Sequence, residues 1–354
     1  MKIHNFSAGP GILPHDVLRK AAESVIDFNN SGLSLLEISH RSADFEQVMQ
    51  QAISLAKELL ELGDDYEALF LQGGASLQFH MAPLNLLKNK AAYINTGNWA
   101  SEAIAEARKV GEVNVIASSE DRKFTYIPTK YTIPIDADYL HITSNNTIFG
   151  TQWKEFPQAE IPLVCDMSSD IFSRKIPANQ FSLIYAGAQK NMGPAGTTLV
   201  VFKKDILGKT GRNLPKMLDY ELQYKKDSMF NTPPVFAVYA SMLTMQWIKD
   251  NGGIEWIEAL NKIKAKTFYN EVDSNPMFEG TVEKPFRSYM NGTFVLKNTA
   301  VEQEFERMLK EAGISGLKGH RSVGGYRCSM YNALPLESIK VLTNVMREFA
   351  NKFA

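Results

Sequence analysis

Seven short apolar runs, with helix-like stretches between some of them, constrain this chain more than any other feature. They are Tyr66–Gln72 (YEALFLQ), Ala91–Asn95 (AAYIN), Val113–Ile116 (VNVI), Tyr139–Thr143 (YLHIT), Ile161–Asp166 (IPLVCD), Ser182–Gly187 (SLIYAG) and Thr197–Phe202 (TTLVVF). Several are apolar without clean alternation, as expected of strands buried on both faces. A stretch of helical character such as Ser101–Lys109 falls between two of them. The pattern predicts an α/β fold whose large domain is a mostly parallel seven-stranded sheet covered by helices.

The flanks add helices. FSAGPG (Phe6–Gly11) is a turn-rich strap, and Pro14 suits the start of a helix carrying Val17, Leu18, Ala21, Val25 and Ile26. A second helix is expected over Phe45–Leu62, with Val48, Ala52, Leu55, Ala56 and Leu59 on one face. After NTPP (Asn231–Pro234) a helix runs through Val238, Met242, Met245 and Ile248, until Gly252 and Gly253 interrupt it. Another begins near Ile254 with a stripe of Ile257, Leu260 and Ile263. A strand (Ser288–Leu296), a helix (Val301–Ala312), a glycine-rich strand (Gly324–Met330) and a helix from Leu336 follow. The 354 residues suffice for two cores. The expected division is an N-terminal segment near the active site (1–14), a large domain (15–254) and a smaller α+β C-terminal domain (255–354).

Charge narrows the partners. With 38 basic and 39 acidic side chains the net charge is -1, which argues against a broad nucleic-acid footprint or a polybasic membrane surface. The two cysteines, Cys165 and Cys328, form no CxxC pair, so neither a disulfide framework nor a cysteine-rich zinc site is expected, and no metal. The opening MKIHNFSAGPGILP meets glycine and proline too early for a secretory apolar stretch, and no run of eighteen apolar residues occurs. The expectation is a cytoplasmic protein.

Chemistry gathers where strands end. Lys190, in YAGAQKNMGPAG, follows the run ending near Ala186, at the kind of sheet edge where α/β proteins bind ligands. A shielded amine there can attack an aldehyde to form a Schiff base; a solvated loop lysine is the plain alternative. Asp166 closes another run, 24 residues earlier. It either caps a helix or pairs with a protonated pyridine nitrogen, as pyridoxal phosphate requires. In QGGASLQF (Gln72–Phe79), two glycines precede Ala75 and Ser76 at a helix start, an arrangement that holds a phosphate or simply makes a tight turn. Trp99, in NTGNWASEA, offers an aromatic face or a core contact, and Thr147, in TSNNTIFG, offers a hydroxyl or a turn. The clusters HRS (His40–Ser42) and GHRSVGGYR (Gly319–Arg327) supply Arg41, His320, Arg321 and Arg327. Arginine pairs bidentately with carboxylate or phosphate, so a small anionic substrate fits them if they converge.

Taken in order, FSAGPGILP, ISHRS, QGGASLQF, GNWA, CDMSSD, YAGAQKNMGPAG, NTPP and GHRSVGGYR resemble the phosphoserine aminotransferases, class V enzymes among the fold-type I pyridoxal-phosphate proteins. The likeness covers nearly the whole chain. It implies a homodimer with active sites at the subunit boundary. It also implies that Lys190 carries pyridoxal 5'-phosphate, Asp166 pairs with the ring nitrogen, Trp99 stacks on the ring and Thr147 reaches the ring hydroxyl. By the same resemblance Ala75, Ser76 and Gln189 hold the cofactor phosphate, helped by Asn231 and Thr232 of the partner subunit. Arg327 binds the substrate α-carboxylate, while His320, Arg321 and Arg41 of the partner subunit surround the substrate phosphate.

The implied reaction is reversible amino transfer between L-glutamate and 3-phosphohydroxypyruvate in serine biosynthesis, with 4-phosphohydroxy-threonine as a second substrate in pyridoxine biosynthesis. Two positions depart from many relatives: Ser76 stands where arginine is frequent, and Asn146 where some have glutamate. The competing readings are an alanine– or serine–glyoxylate aminotransferase, a desulfurase, and a silent α/β dimer that binds an anionic metabolite. A desulfurase needs a cysteine beside the cofactor, whereas alternation turns Cys165 and Cys328 away from Asp166 and Arg327.

Overall fold

The apolar runs pair into one seven-stranded sheet in a computed structural model that describes residues 2–321 and 323–354. In chain order the elements begin with β1 (His4–Asn5), α1 (His15–Ile26), α2 (Ala43–Leu59), β2 (Tyr66–Leu71), α3 (Gly74–Leu86), β3 (Lys90–Asn95), α4 (Asn98–Ala107) and β4 (Glu112–Ser118). Then come β5 (Leu140–Thr143), β6 (Leu163–Asp166), β7 (Leu183–Gly187), β8 (Thr198–Lys203), α5 (Tyr220–Tyr224), α6 (Val235–Asp250) and α7 (Gly253–Ser274). The chain continues through β9 (Phe278–Gly280), β10 (Asn291–Leu296), α8 (Glu302–Glu311), β11 (Ile314–Ser315), β12 (Tyr326–Ser329) and α9 (Leu336–Phe353).

The large sheet has the order β2-β8-β7-β6-β5-β3-β4. β4, β3, β5, β6 and β7 pair in parallel, and β8 runs antiparallel to both β7 and β2. The reversal has a local cause. A parallel return needs a crossover of a dozen or more residues, usually helical, and the small-residue connection between Gly187 and Thr198 is too short for one. The chain turns back, and Lys190 is left at the carboxyl edge of β7.

Strand alternation separates two cores. Ile142, Cys165, Ile184 and Val201 face the helices α2 and α6, whereas Tyr93, Val164, Tyr185 and Val200 face α3 and α4. Asp166 is two residues past Val164 and pairs with Tyr185, so it belongs to the α3/α4 face. A third core lies under α7, α8 and α9 against a smaller antiparallel sheet ordered β12-β10-β9. Phe6 enters that third core, and β1 pairs in parallel with β11, so the N-terminal strap is fastened to the C-terminal part.

Three expectations shift. α2 starts at Ala43 rather than Phe45 because the Ser42 side chain caps it. The stripe of α1 is only half used: Val17 and Ala21 are buried, but Leu18, Val25 and Ile26 are exposed, beside Leu33 and Leu36. In α7, Ile257 is buried as expected, yet Ile263 is exposed and its neighbour Lys264 is buried instead. Among the described residues no helix is long and apolar enough to cross a membrane.

Candidate active site

Four segments meet at the carboxyl edge of the large sheet. The first is the entry to α3, where Gly73 has φ +94° and Gly74 φ +67°, a left-handed stretch that L side chains avoid. A Cβ at Gly73 would also lie 2.4 Å from Cδ2 of Leu77. The turn aims the amides of the first helical residues, including Ala75 and Ser76, outward with the helix dipole behind them. Ser76 is exposed there, ready to meet a phosphate.

The second segment is the end of β6. Asp166 is buried, and its Oδ1 accepts from Ser168 N at 2.9 Å and Ser168 Oγ at 2.6 Å. Ser168 Oγ accepts in turn from Gly187 N at 3.1 Å, which ties β6 to β7. Burial pushes the Asp166 carboxyl above its ordinary value, and the nearby Lys190 ammonium opposes that only in part. Beneath it on the same face, His141 Nε2 meets the Tyr185 hydroxyl at 2.8 Å, and burial lowers the imidazole to about 3.

The third is the Lys190 loop. The amine donates to Thr147 Oγ1 at 2.9 Å and lies 5.9 Å from the centre of the Trp99 ring. The side chain is half-buried, and protein packs around the amine closely enough to bring its pKa down to about 8. Burial dominates; Asp166 acts against it, and the Arg327 charge reinforces it. The carbonyl of Gln189 accepts from Gly11 N at 2.7 Å, so the N-terminal strap lies against this loop.

The fourth is the turn that presents Thr147. Asn146 N donates to the Thr151 carbonyl at 2.7 Å, and Asn146 Nδ2 to Thr151 Oγ1, also at 2.7 Å. A Cβ on Gly97 would fall 2.4 Å from Asn146 Oδ1, so a bare glycine before α4 lets the turn approach Trp99. The residue at 146 therefore braces the loop behind Thr147. The Thr147 carbonyl accepts from Arg327 Nη1 at 3.2 Å, which brings the arginine of β12 to the site.

The structure thus gathers Asp166, Lys190, Thr147, Trp99 and Arg327. His320 borders the same region: with Arg327, Phe149 and Phe124 it lines a cavity of about 620 Å³. Asn231 and Thr232 lie in the approach to α6, where the Thr232 carbonyl accepts from Gln72 Nε2 at 3.0 Å. Arg41 and Arg321 are exposed, and Ser322, inside GHRSVGGYR, lies outside the described residues. Cys165 faces the α2/α6 core, its thiol donating to the Asp166 carbonyl at 3.6 Å, and Cys328 faces the third core; both are buried with thiols pushed up, so neither points toward the face that bears Asp166's carboxylate.

Ser168 and Asn191 were not singled out in the sequence. A serine two residues after a strand-end carboxylate is an available signal for the first, because that spacing favours a side-chain turn. Nothing local marks the second.

The donor set fits pyridoxal phosphate. Free amides and a hydroxyl at a helix start suit its phosphate, a buried carboxylate suits its ring nitrogen, and a shielded amine of lowered pKa suits its aldehyde. The buried Nε1 of Trp99 and Nε of Arg327 have no hydrogen-bond partner among the described residues, as expected where a ligand completes the site.

Fold and donor set define a pyridoxal-phosphate-dependent aminotransferase, and residues 3–342 match the aminotransferase class-V family. The chain is 62% identical over 355 residues to the phosphoserine aminotransferase of Flavobacterium psychrophilum, covering 99% of this chain and 100% of the other. The solved structure of phosphoserine aminotransferase from Bacillus circulans subsp. alkalophilus superposes with a TM-score of 0.97 at 43% identity, over 100% of this chain and 99% of that one. The pyridoxal-phosphate-bound enzyme of Trichomonas vaginalis does so at 0.91 and 35%, over 98% and 100%. The chain belongs to the phosphoserine aminotransferase family.

Proposed function

We propose that this chain catalyses reversible amino transfer from L-glutamate to 3-phosphohydroxypyruvate, giving 3-phospho-L-serine and 2-oxoglutarate in serine biosynthesis. The observation that carries the site assignment is the Lys190 amine, lowered to about 8, held 2.9 Å from Thr147 on the sheet edge that also bears Asp166. When bound, pyridoxal phosphate supplies an aldehyde that carries the amino group and a ring that takes up charge as the α-proton leaves.

The chain's own residues divide the remaining work. Asp166 keeps the ring nitrogen protonated, and a cation against this buried carboxylate holds it ionised. Trp99 would cover the ring face and Thr147 would donate to the ring hydroxyl. Ala75, Ser76 and Gln189 hold the phosphate with Asn231 and Thr232 of the partner subunit. With the cofactor bound to substrate, the free Lys190 amine would take the α-proton as a general base, and its lowered pKa would keep a working fraction neutral near pH 8. Arg327 grips the α-carboxylate common to both amino acids. His320 and Arg321 of the same chain, with Arg41 of the partner subunit, receive the substrate phosphate. The exposed apolar face of α1 supports the homodimer this requires, and the enzyme works in the cytoplasm. 4-Phosphohydroxy-threonine carries the same carboxylate and phosphate and is a second substrate, in pyridoxine biosynthesis.

The test is the visible absorption of the holoenzyme during sequential additions. L-Phosphoserine should bleach the band of lysine-bound cofactor, and 2-oxoglutarate should restore it. A yellow protein that ignores phosphoserine but responds to alanine or unphosphorylated serine moves the substrate to the glyoxylate-type aminotransferases.

A further inference from the structure

Helix α7 carries three lysines at alternate positions, 262, 264 and 266, directly beside Ile263. An amphipathic helix there is expected to turn the isoleucine inward and the lysines outward. The structure does the reverse at one place: Lys264 is 0% exposed, while Ile263 is 50% exposed. A buried ammonium is unfavourable unless hydrogen bonds and opposite charge meet it. Lys264 is met by carbonyls. Its Nζ donates to the backbone oxygens of Tyr331 at 2.7 Å, Met330 at 3.1 Å and Asn332 at 3.4 Å. Burial lowers its pKa to about 7, opposed only slightly by the Cys328 thiol on β12.

The three carbonyls form the turn that directly follows β12, the strand of Arg327, and the same turn is fastened to the other half of the site. Asn332 N donates to Asn191 Oδ1 at 3.0 Å, next to Lys190, and Asn332 Nδ2 donates to the Phe172 carbonyl at 2.9 Å. Asn261, one helical turn before Lys264, donates to Asn332 Oδ1 and to the Ser173 carbonyl, both at 2.9 Å. The Tyr331 hydroxyl donates to the Ala8 carbonyl of the strap at 2.5 Å. Lys264 also sits where α7 passes from one core to another, between Ile257 in the large one and Ala265 and Phe268 in the small one.

We propose that Lys264 is a positioning residue for amino transfer. By binding the carbonyls of residues 330–332 it fixes the spacing between Arg327 and Lys190, and so sets the affinity for the α-carboxylate that both amino-acid substrates share. This rests on Arg327 being the carboxylate anchor. A lysine that merely stabilised the fold would change the melting temperature without favouring one kinetic constant. A lysine that places Arg327 acts through it, and the two effects are not multiplicative.

The experiment compares holoenzymes carrying Lys264→Met, Arg327→Ala and both. Lys264→Met should raise KM for L-glutamate and for L-phosphoserine alike, by about tenfold, with kcat changed less than about twofold. The visible band of the lysine-bound cofactor should be unchanged. Added to Arg327→Ala, it should raise KM by less than about a further twofold. Should three unpaired carbonyls prevent folding, Lys264→Gln retains one amide donor pair and should show the same KM pattern more weakly. If Arg327→Ala raises KM while folded Lys264 variants do not, or if the effects multiply in the double variant, Lys264 has no positioning role. If Arg327→Ala itself leaves KM unchanged, the carboxylate assignment falls and this inference falls with it.

Discussion

On the sheet side of the site, Asp166, Thr147 and Lys190 are each held within the single chain by strands, capping hydroxyls and a braced turn. On the basic side, Arg41 and Arg321 are exposed, and His320 stands at the edge of an open cavity. The contrast separates two tasks. A cofactor that stays bound through turnover is best served by groups fixed in advance. A substrate that must enter and leave meets groups on loops, and on the reading given above one of them comes from the partner subunit.

The sharpest way to break the contrast is Lys190→Ala. It should lower kcat by about 10³-fold or more, since on the proposed reading it removes both the cofactor linkage and the general base. It should also abolish the lysine-linked band in the absorption spectrum. Survival of that band would place the linkage on another residue. Arg327→Ala tests the boundary between the two sides: loss of a charge-assisted contact should weaken both amino acids by roughly 10²-fold in kcat/KM, measured with each substrate at saturating co-substrate. His320→Ala should reach only the basic side, with about a tenfold rise in KM for phosphoserine and little change for glutamate. Equal changes for both would erase the distinction between carboxylate and phosphate pockets.

The smallest effect is on stability. His141 resists protonation down to about 3, whereas an unfolded histidine takes up its proton near 6.5. Between those values the unfolded state binds more protons, so stability falls as pH drops, by at most about 1.4 kcal/mol per pH unit. His141→Asn should make the slope of unfolding free energy shallower between pH 6.5 and 5, measured by urea denaturation, even though it loses the Tyr185 contact.

Much of this was legible in the sequence, for reasons that differ by residue. The seven apolar runs became β2 to β8; most are strands buried on both faces, which need no alternation to be recognised, and only the edge strand β4 is partly exposed throughout. Lys190 and Asp166 were legible because Asp166 closes such a run and Lys190 lies just beyond another. The two-residue strands β1 and β11 and the three-residue β9 are too short to carry a period, and they form only because the third core gathers them. The α7 stripe misled at Ile263 because hydrophobic periodicity assumes that polar atoms face water. At Lys264 three backbone carbonyls, dozens of residues away in the chain, supply what water otherwise would. Asn191 is hidden for the same reason: its partners lie in other segments.

The pairing of β1 with β11, and the bond from Tyr331 to Ala8, also set an order of assembly during synthesis. Residues 4 to 8 are made long before residues 314 to 331, the segments they pair with. A nascent chain that has reached residue 300 already contains every strand of the large sheet, with Asp166 and Lys190. It still lacks Arg327, the 330–332 turn and the clasp of the strap against the Lys190 loop. The Lys190 amine is therefore made early, and the segments that enclose it are made late.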